Sequence, residues 1–168
     1  QYKLHLTRST KGGISWFPPN EVRAGPTGFA DSPGSGADLW LTFLVGGRVI
    51  VAVSHDWGET FSAVDVGAPQ DASLGIGTVP QTIVLTNDTT LVFFAHDRGV
   101  EGDWRLFMAR STDGGATYEL RQLSETYALG PSVRVVDGAI IAVWDTTEDF
   151  RFRSVTSLDG GATWSEEV

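Results

Sequence analysis

The chain contains no cysteine. Disulfides, zinc–thiolate centres and cysteine nucleophiles are therefore excluded, and either redox compartment remains open. No apolar run approaches the roughly 20 residues a membrane-crossing helix needs, so no membrane partner is expected. Positive charge is scarce: 12 Lys and Arg stand against 21 Asp and Glu, for a formal net charge of −9 and a pI of 4.6. That balance repels phosphate backbones and anionic bilayers, which argues against nucleic-acid partners. The three histidines, His5, His55 and His96, are scattered without metal-ligand spacing, so neither a metal nor a cofactor is expected. No stretch sustains a helical apolar period. No signal peptide is visible, and the chain opens on Gln1, which reads as a processed N-terminus or as a boundary within a longer product.

What is present is repetition. The 168 residues are 41% apolar and 20% charged, enough for one domain or a piece of a larger one, and the 20 glycines point to many tight turns. "STKGGISW" (9–16), "SHDWGETF" (54–61), "STDGGATY" (111–118) and "SLDGGATW" (157–164) are near copies of one octapeptide. Their serines lie 45, 57 and 46 residues apart, from 9 to 54, 54 to 111 and 111 to 157. Periods of about 40–50 residues are those of propellers with about four strands per blade.

The intervening text supports that reading. "PQTIVLTNDTTLVFF" from Pro80 alternates strand, turn (Thr86-Asn87-Asp88) and strand, and "PSVRVVDGAIIAVW" from Pro131 repeats the scheme around Asp137-Gly138. Each unit reads as strands A to D, with the octapeptide at the end of C and the turn into D. In the second unit, 38–45 is B and 47–54 is C, joined at Gly46-Gly47. In the third, 79–86, 89–95, 104–111 and 117–124 are A to D. In the fourth, 131–136, 139–145 and 150–157 are A to C, and D begins at Trp164. The first unit, from Tyr2 to about Arg23, has C and D alone. The chain thus divides at roughly 1–23 (partial), 24–68, 69–125 and 126–168 within a single propeller unit of about three and a half to four antiparallel blades.

Within the octapeptide, the central glycines permit positive φ, the aspartate accepts backbone N–H groups and the hydroxyls satisfy further turn atoms. The closing aromatic (Trp16, Phe61, Tyr118 or Trp164) is expected to fold back as an anchor. The pattern S-x-D-x-G-x-T-[WFY] resembles the Asp-box, or BNR repeat, of sialidase-like β-propellers. Ser111, Asp113, Gly115, Thr117 and Tyr118 match it, as do Ser157, Asp159, Gly161, Thr163 and Trp164, and Ser54, Asp56, Gly58, Thr60 and Phe61. The first copy departs, with Lys11 for Asp and Ser15 for Thr. The resemblance implies an all-β propeller in which these residues are structural and the working face lies at the opposite end of the blades. It also implies glycan chemistry and favours a secreted or extracytoplasmic location.

Function is argued from a site rather than from the fold. Two B–C connections carry the chemistry-bearing residues. "AHDRGVEGDW" (95–104) holds Asp97, Arg98, Glu101, Asp103 and Trp104, and "WDTTEDFR" (144–151) holds Asp145, Glu148, Asp149 and Arg151. These carboxylates and Arg98 suit sugar hydroxyls, and Trp104 and Trp144 suit apolar sugar faces. A hydrolase would need two carboxyl groups about 5–9.5 Å apart, drawn from Asp97 or Glu101 and Asp145 or Glu148. The competing reading is solvated loops whose charge serves solubility, with Trp40, Phe94 and Trp144 in the packing between blades. The catalytic set of sialidases is not recognisable. The F/Y-R-I-P segment is missing, Arg98, Arg134, Arg151 and Arg153 sit in no matching motif, and Tyr127 with Glu125 is only a suggestive pair. The expectation is a glycan-interacting module, lectin-like or part of a glycoside hydrolase, with a non-catalytic protein-interaction scaffold as the alternative. A closed propeller has about 4–8 blades. The incomplete ring therefore points to a homo-oligomer completing it, to missing blades of a longer protein, or to a small open ring.

Overall fold

The structure is a computed structural model describing residues 3–9, 11–24, 30–31, 33–35, 37–67, 79–86, 88–97, 102–146 and 151–168. These form antiparallel strands and turns with no helix, arranged as four sheets in chain order. The first sheet pairs β1 (Lys3–Leu6) with β2 (Asn20–Ala24). The second contains β3 (Ala30–Asp31), β4 (Gly34–Ser35), β5 (Asp38–Val45), β6 (Arg48–Ser54) and β7 (Ser62–Asp65). The third runs β8 (Gln81–Val84), β9 (Thr90–Asp97), β10 (Trp104–Ser111) and β11 (Glu119–Gln122). The fourth runs β12 (Leu129–Val136), β13 (Ala139–Thr146) and β14 (Arg151–Ser157). These sheets are propeller blades, and they do not close a ring.

The two-residue hairpins follow from local chemistry. Gly46 and Gly47 have φ of 55° and 79°, and Asp137 and Gly138 have 50° and 82°. Paired positive φ values make the turn whose twist matches that of the flanking strands. Leu129 precedes the expected start of its strand because the ladder shifts between Leu129 and Ser132, where Pro131 has no N–H to offer. The expected last strand from Trp164 is not regular. Residues 165–168 run beside β14 through Ser165 N–H to Thr156 O (2.9 Å) and Val168 N–H to Ser154 O (3.1 Å). The Thr156 N–H is taken instead by the Ser165 hydroxyl at 3.0 Å, a side-chain bond that competes with the ladder.

Three apolar layers lie between the four sheets. Leu41, Phe43, Ile50 and Ala52 of the second sheet pack with Leu4 and Val22 of the first. Trp40, Val49, Val51 and Val53 meet Val92, Phe94, Phe107 and Ala109 of the third. Leu91, Phe93, Leu106 and Met108 meet Val133, Ile140, Ala142 and Trp144 of the fourth. Successive residues of a strand point to opposite faces, so β9, with a sheet on each side, is buried along its entire length. In β13 burial alternates, because Ile140, Ala142 and Trp144 face the third sheet while Ile141 and Val143 face away from it. Trp144 is therefore interior and not a platform for sugar. Polar links also cross between sheets: Thr42 and Thr82 share a buried hydroxyl pair at 2.7 Å, and Gln81 Oε1 accepts the Val133 N–H at 2.7 Å.

Three octapeptide turns share one hydrogen-bond set. The Ser111 hydroxyl accepts from Gly115 N–H (2.9 Å) and donates to Asp113 Oδ1 (2.8 Å). Asp113 in turn accepts from the Thr117 N–H (2.9 Å) and Thr117 hydroxyl (2.6 Å). Ser54, Asp56, Gly58 and Thr60 repeat this pattern, as do Ser157, Asp159, Gly161 and Thr163. These bonds, led by the threonine hydroxyls, hold Asp113 and Asp159 down at about 2 and Asp56 well below the usual carboxylate range. Lys11 leaves the first turn with only the serine half, Ser9 accepting from Gly13 N–H at 2.9 Å.

The second turn glycine also sets the blade spacing. A Cβ at Gly58 would lie 2.5 Å from Leu6, at Gly115 2.8 Å from Val53, and at Gly161 3.0 Å from Leu91. In each case the residue met belongs to the preceding sheet. The anchors lie alongside: Phe61 packs on the Leu41 layer, Tyr118 on the Trp40 layer, and Trp164 edge-on to Phe93 at 5.9 Å. Burial pushes the Tyr118 phenol above its ordinary range, helped by the Asp113 charge. Trp16 departs from the expected anchoring and is 61% exposed. A Cβ at Gly13 would meet only Trp16 itself, since no sheet precedes the first hairpin among the described residues.

Candidate functional site

The octapeptide turns follow the C strand of each blade, so the B–C connections lie at the other end. Asp97 ends β9 and Trp104 opens β10, and the two are cross-strand partners. Asp97 is nearly buried at 7% exposure, and Trp104 is half-buried. Asp103 accepts from Arg105 Nη2 at 2.6 Å, and Arg105 Nη1 donates to the Trp104 carbonyl at 2.9 Å. The Ala128 N–H bonds the same carbonyl at 3.0 Å, tying this end to the approach to β12. Trp104 and Asp97 share the face of this sheet turned to the fourth, while Arg105, paired with His96, lies on the face turned to the second.

His96 lies beneath this end, fully buried, with Nδ1 2.5 Å from the Asp97 carbonyl and 3.9 Å from its carboxylate. The Phe94 and Phe107 rings flank it at 6.3 and 6.1 Å. Burial lowers its pKa, against the opposing pull of Asp97, so the imidazole is neutral at neutral pH. Its role here is to fill and orient the strand end.

The structure pairs Asp97 with Trp104 across the strands and sets Asp103 at the same strand end, bonded to Arg105. Asp145 is exposed on β13, on the side opposite Trp144 and so away from the third sheet. Arg98, Glu101, Glu148 and Asp149 lie outside the described residues. Tyr127 is half-buried between β11 and β12, and the neighbouring Glu125 N–H bonds the Glu167 carboxylate at 2.8 Å. Arg105 is the residue that sequence reasoning missed. Its signal was the spacing Asp103-x-Arg105 at a strand start, which puts both charges on one face. Among the described residues no cluster of three or more His, Cys, Asp or Glu can hold a metal ion.

No protein-family model matches the sequence, and no curated protein matches it significantly. Solved structures do match. A Hadza microbial sialidase, Hz136, superposes with a TM-score of 0.70 at 14% identity over 98% of this chain and 40% of that one. The K499G mutant of NanB sialidase from Streptococcus pneumoniae superposes with a TM-score of 0.62 at 17% identity, over 98% of this chain and 28% of its own length. NanB with Optactamide gives 0.62 at 17% identity over 97% and 28%. The chain therefore spans between about a quarter and two-fifths of the sialidases it matches, and it shares their β-propeller fold.

Proposed function

We propose that this chain is a glycan-interacting module of a sialidase-like propeller, lectin-like or part of a glycoside hydrolase, and that its octapeptide turns are Asp-boxes. The observation that supports the reading most is the shared fold with sialidases along nearly the whole chain. The ligand is a sugar held at the Asp97–Trp104 end. Trp104 offers a flat apolar face, and Asp103 and Arg105 at the same strand end meet hydroxyls. A location outside the cytoplasm belongs to the same reading.

The test is retention on a glycan array by the wild-type chain and by Trp104→Ala and Asp103→Asn variants. Specific retention that both variants lose supports the proposal. Retention on no glycan, or retention indifferent to both changes, overturns it.

A second reading, an assembly or protein-interaction scaffold, is favoured by one specific feature. The outer face of the fourth sheet carries Ile141, Val143, an exposed Val136 and a Phe152 at 77% exposure. The corresponding faces of the second and third sheets are covered by the next blade. Completion of the ring by a second copy of this chain, or by further blades of a longer protein, covers that face. Solution mass discriminates these outcomes.

A further inference from the structure

At the octapeptide end, one residue breaks the chain's own rule. The fourth position of the turn is Gly12, Gly114 and Gly160 in three copies, with φ of 60°, 70° and 68°. In the second copy it is Trp57, held at 61°. The turn imposes that left-handed backbone: Trp57 N–H bonds the Ala37 carbonyl at 2.9 Å, as Gly114 N–H bonds the Asp88 carbonyl at 3.1 Å. Its carbonyl accepts from Arg8 Nη1 at 2.7 Å, as the Gly160 carbonyl accepts from Arg110 at 3.1 Å. A bulky side chain in this region is strained where glycine is not. The three apolar layers gain nothing from it, because the indole is 54% exposed and belongs to none of them. Strain at a solvent-facing aromatic points to a ligand rather than to packing.

The indole forms one wall of a groove of 680 Å³ between the first two turns, with Arg8, Ser9, Gly12, Phe17 and Glu59 completing it. That volume falls within the roughly 300–1,000 Å³ of small-molecule clefts. The equivalent groove between the third and fourth turns, lined by Arg110, Glu119 and Arg121 among others, encloses 170 Å³ and has no aromatic wall. Phe17, 46% exposed, is the second aromatic surface, with the Arg8 guanidinium 4.8 Å from its ring centroid. Arg8 is neutralised by Glu59 at 2.7 Å and engaged with the Trp57 carbonyl, so among the described lining residues no cation is free for an anionic ligand. The polar rim is the second carboxylate oxygen of Glu59 and the hydroxyl hydrogen of Ser9, whose oxygen already accepts from Lys11 and Gly13. Flat apolar walls beside hydroxyl-matching groups, with no net charge, fit an uncharged pyranose ring. Its C–H face lies on the indole and its hydroxyls reach Glu59 and Ser9.

We propose that this groove is a neutral-glycan subsite, at the opposite end of the blades from Trp104 and independent of it. The test is a titration with neutral tetrasaccharides of glucose, galactose, mannose and N-acetylglucosamine, followed by indole N–H NMR. Trp57→Gly restores the residue the other turns use, so it folds with an unchanged or higher Tm. The expected result is saturable binding of at least one sugar, with shifts centred on Trp57. Affinity should fall about tenfold or more in Trp57→Gly, a loss of ~1.4 kcal/mol, and persist in Trp104→Ala. Absence of saturable binding by all four sugars overturns the proposal. So does undiminished binding in Trp57→Gly, a shift map centred on 97–104, or Trp57-dependent capture of a protein without sugar binding.

Discussion

At the scale of single residues, the second turn glycine carries two separate constraints. Gly115 has a φ of 89° and Val53 of the preceding blade 2.8 Å from where a Cβ would sit. Gly115→Ala is expected to combine left-handed strain of about 1–2 kcal/mol with overpacking of about 1–3 kcal/mol. Gly13→Ala, at a φ of 85° with no neighbouring blade to meet, should show the strain alone. Urea unfolding of the two variants checks the difference, and equal losses would refute the inter-blade role.

The turn carboxylates make the second residue-level prediction. Their folded pKa values are depressed below 3.8. Above that value both states are ionised and the hydrogen bonds contribute fully. As pH falls from about 4 toward 2, the unfolded chain binds protons first and stability drops. The urea midpoint should fall across that window, less steeply in an Asp113→Asn, Asp159→Asn double variant. A midpoint flat between pH 4 and 2 would count against the hydrogen-bonded aspartates.

At the scale of the element, β13 shows how one strand serves two environments. Trp144→Ala removes a side chain shared between the third and fourth sheets and should cost about 3–5 kcal/mol. Phe152→Ala, on the cross-strand partner of Asp145 and largely exposed, should change stability by less than about 0.5 kcal/mol. Thermal unfolding of the pair tests whether the fourth sheet is covered on one side alone. A comparable loss from both would mean that Phe152 is buried in solution by another surface.

At the scale of the whole molecule, the two open sides are the same defect seen twice. Among the described residues, Trp16 has no preceding blade to anchor on, and no following blade covers Ile141 and Val143. Light scattering at several concentrations is expected to give a mass near twice 18.1 kDa if copies complete the ring, and Val143→Asp should return it to one chain. A monomer at every concentration would remove the homo-oligomer and leave a small open ring or blades of a longer protein.

The amino-acid sequence by itself determined the repeat, the strand boundaries around Gly46-Gly47 and Asp137-Gly138, and the hydrogen-bonding turns. Each of these rests on contacts within a few residues, where glycine, aspartate and serine leave the backbone few choices. It also announced the interior through Trp40, Phe94 and Trp144, because β-branched and aromatic runs of that density fit a sheet covered on both faces. Only the tertiary structure decided which side of β13 is covered and why Trp16 lacks the contact that Trp164 has. It alone brought Arg8, Phe17 and Trp57 to one groove. Those outcomes depend on which blade stands next to which, and the spacing of residues along a chain does not encode distance between segments some fifty positions apart.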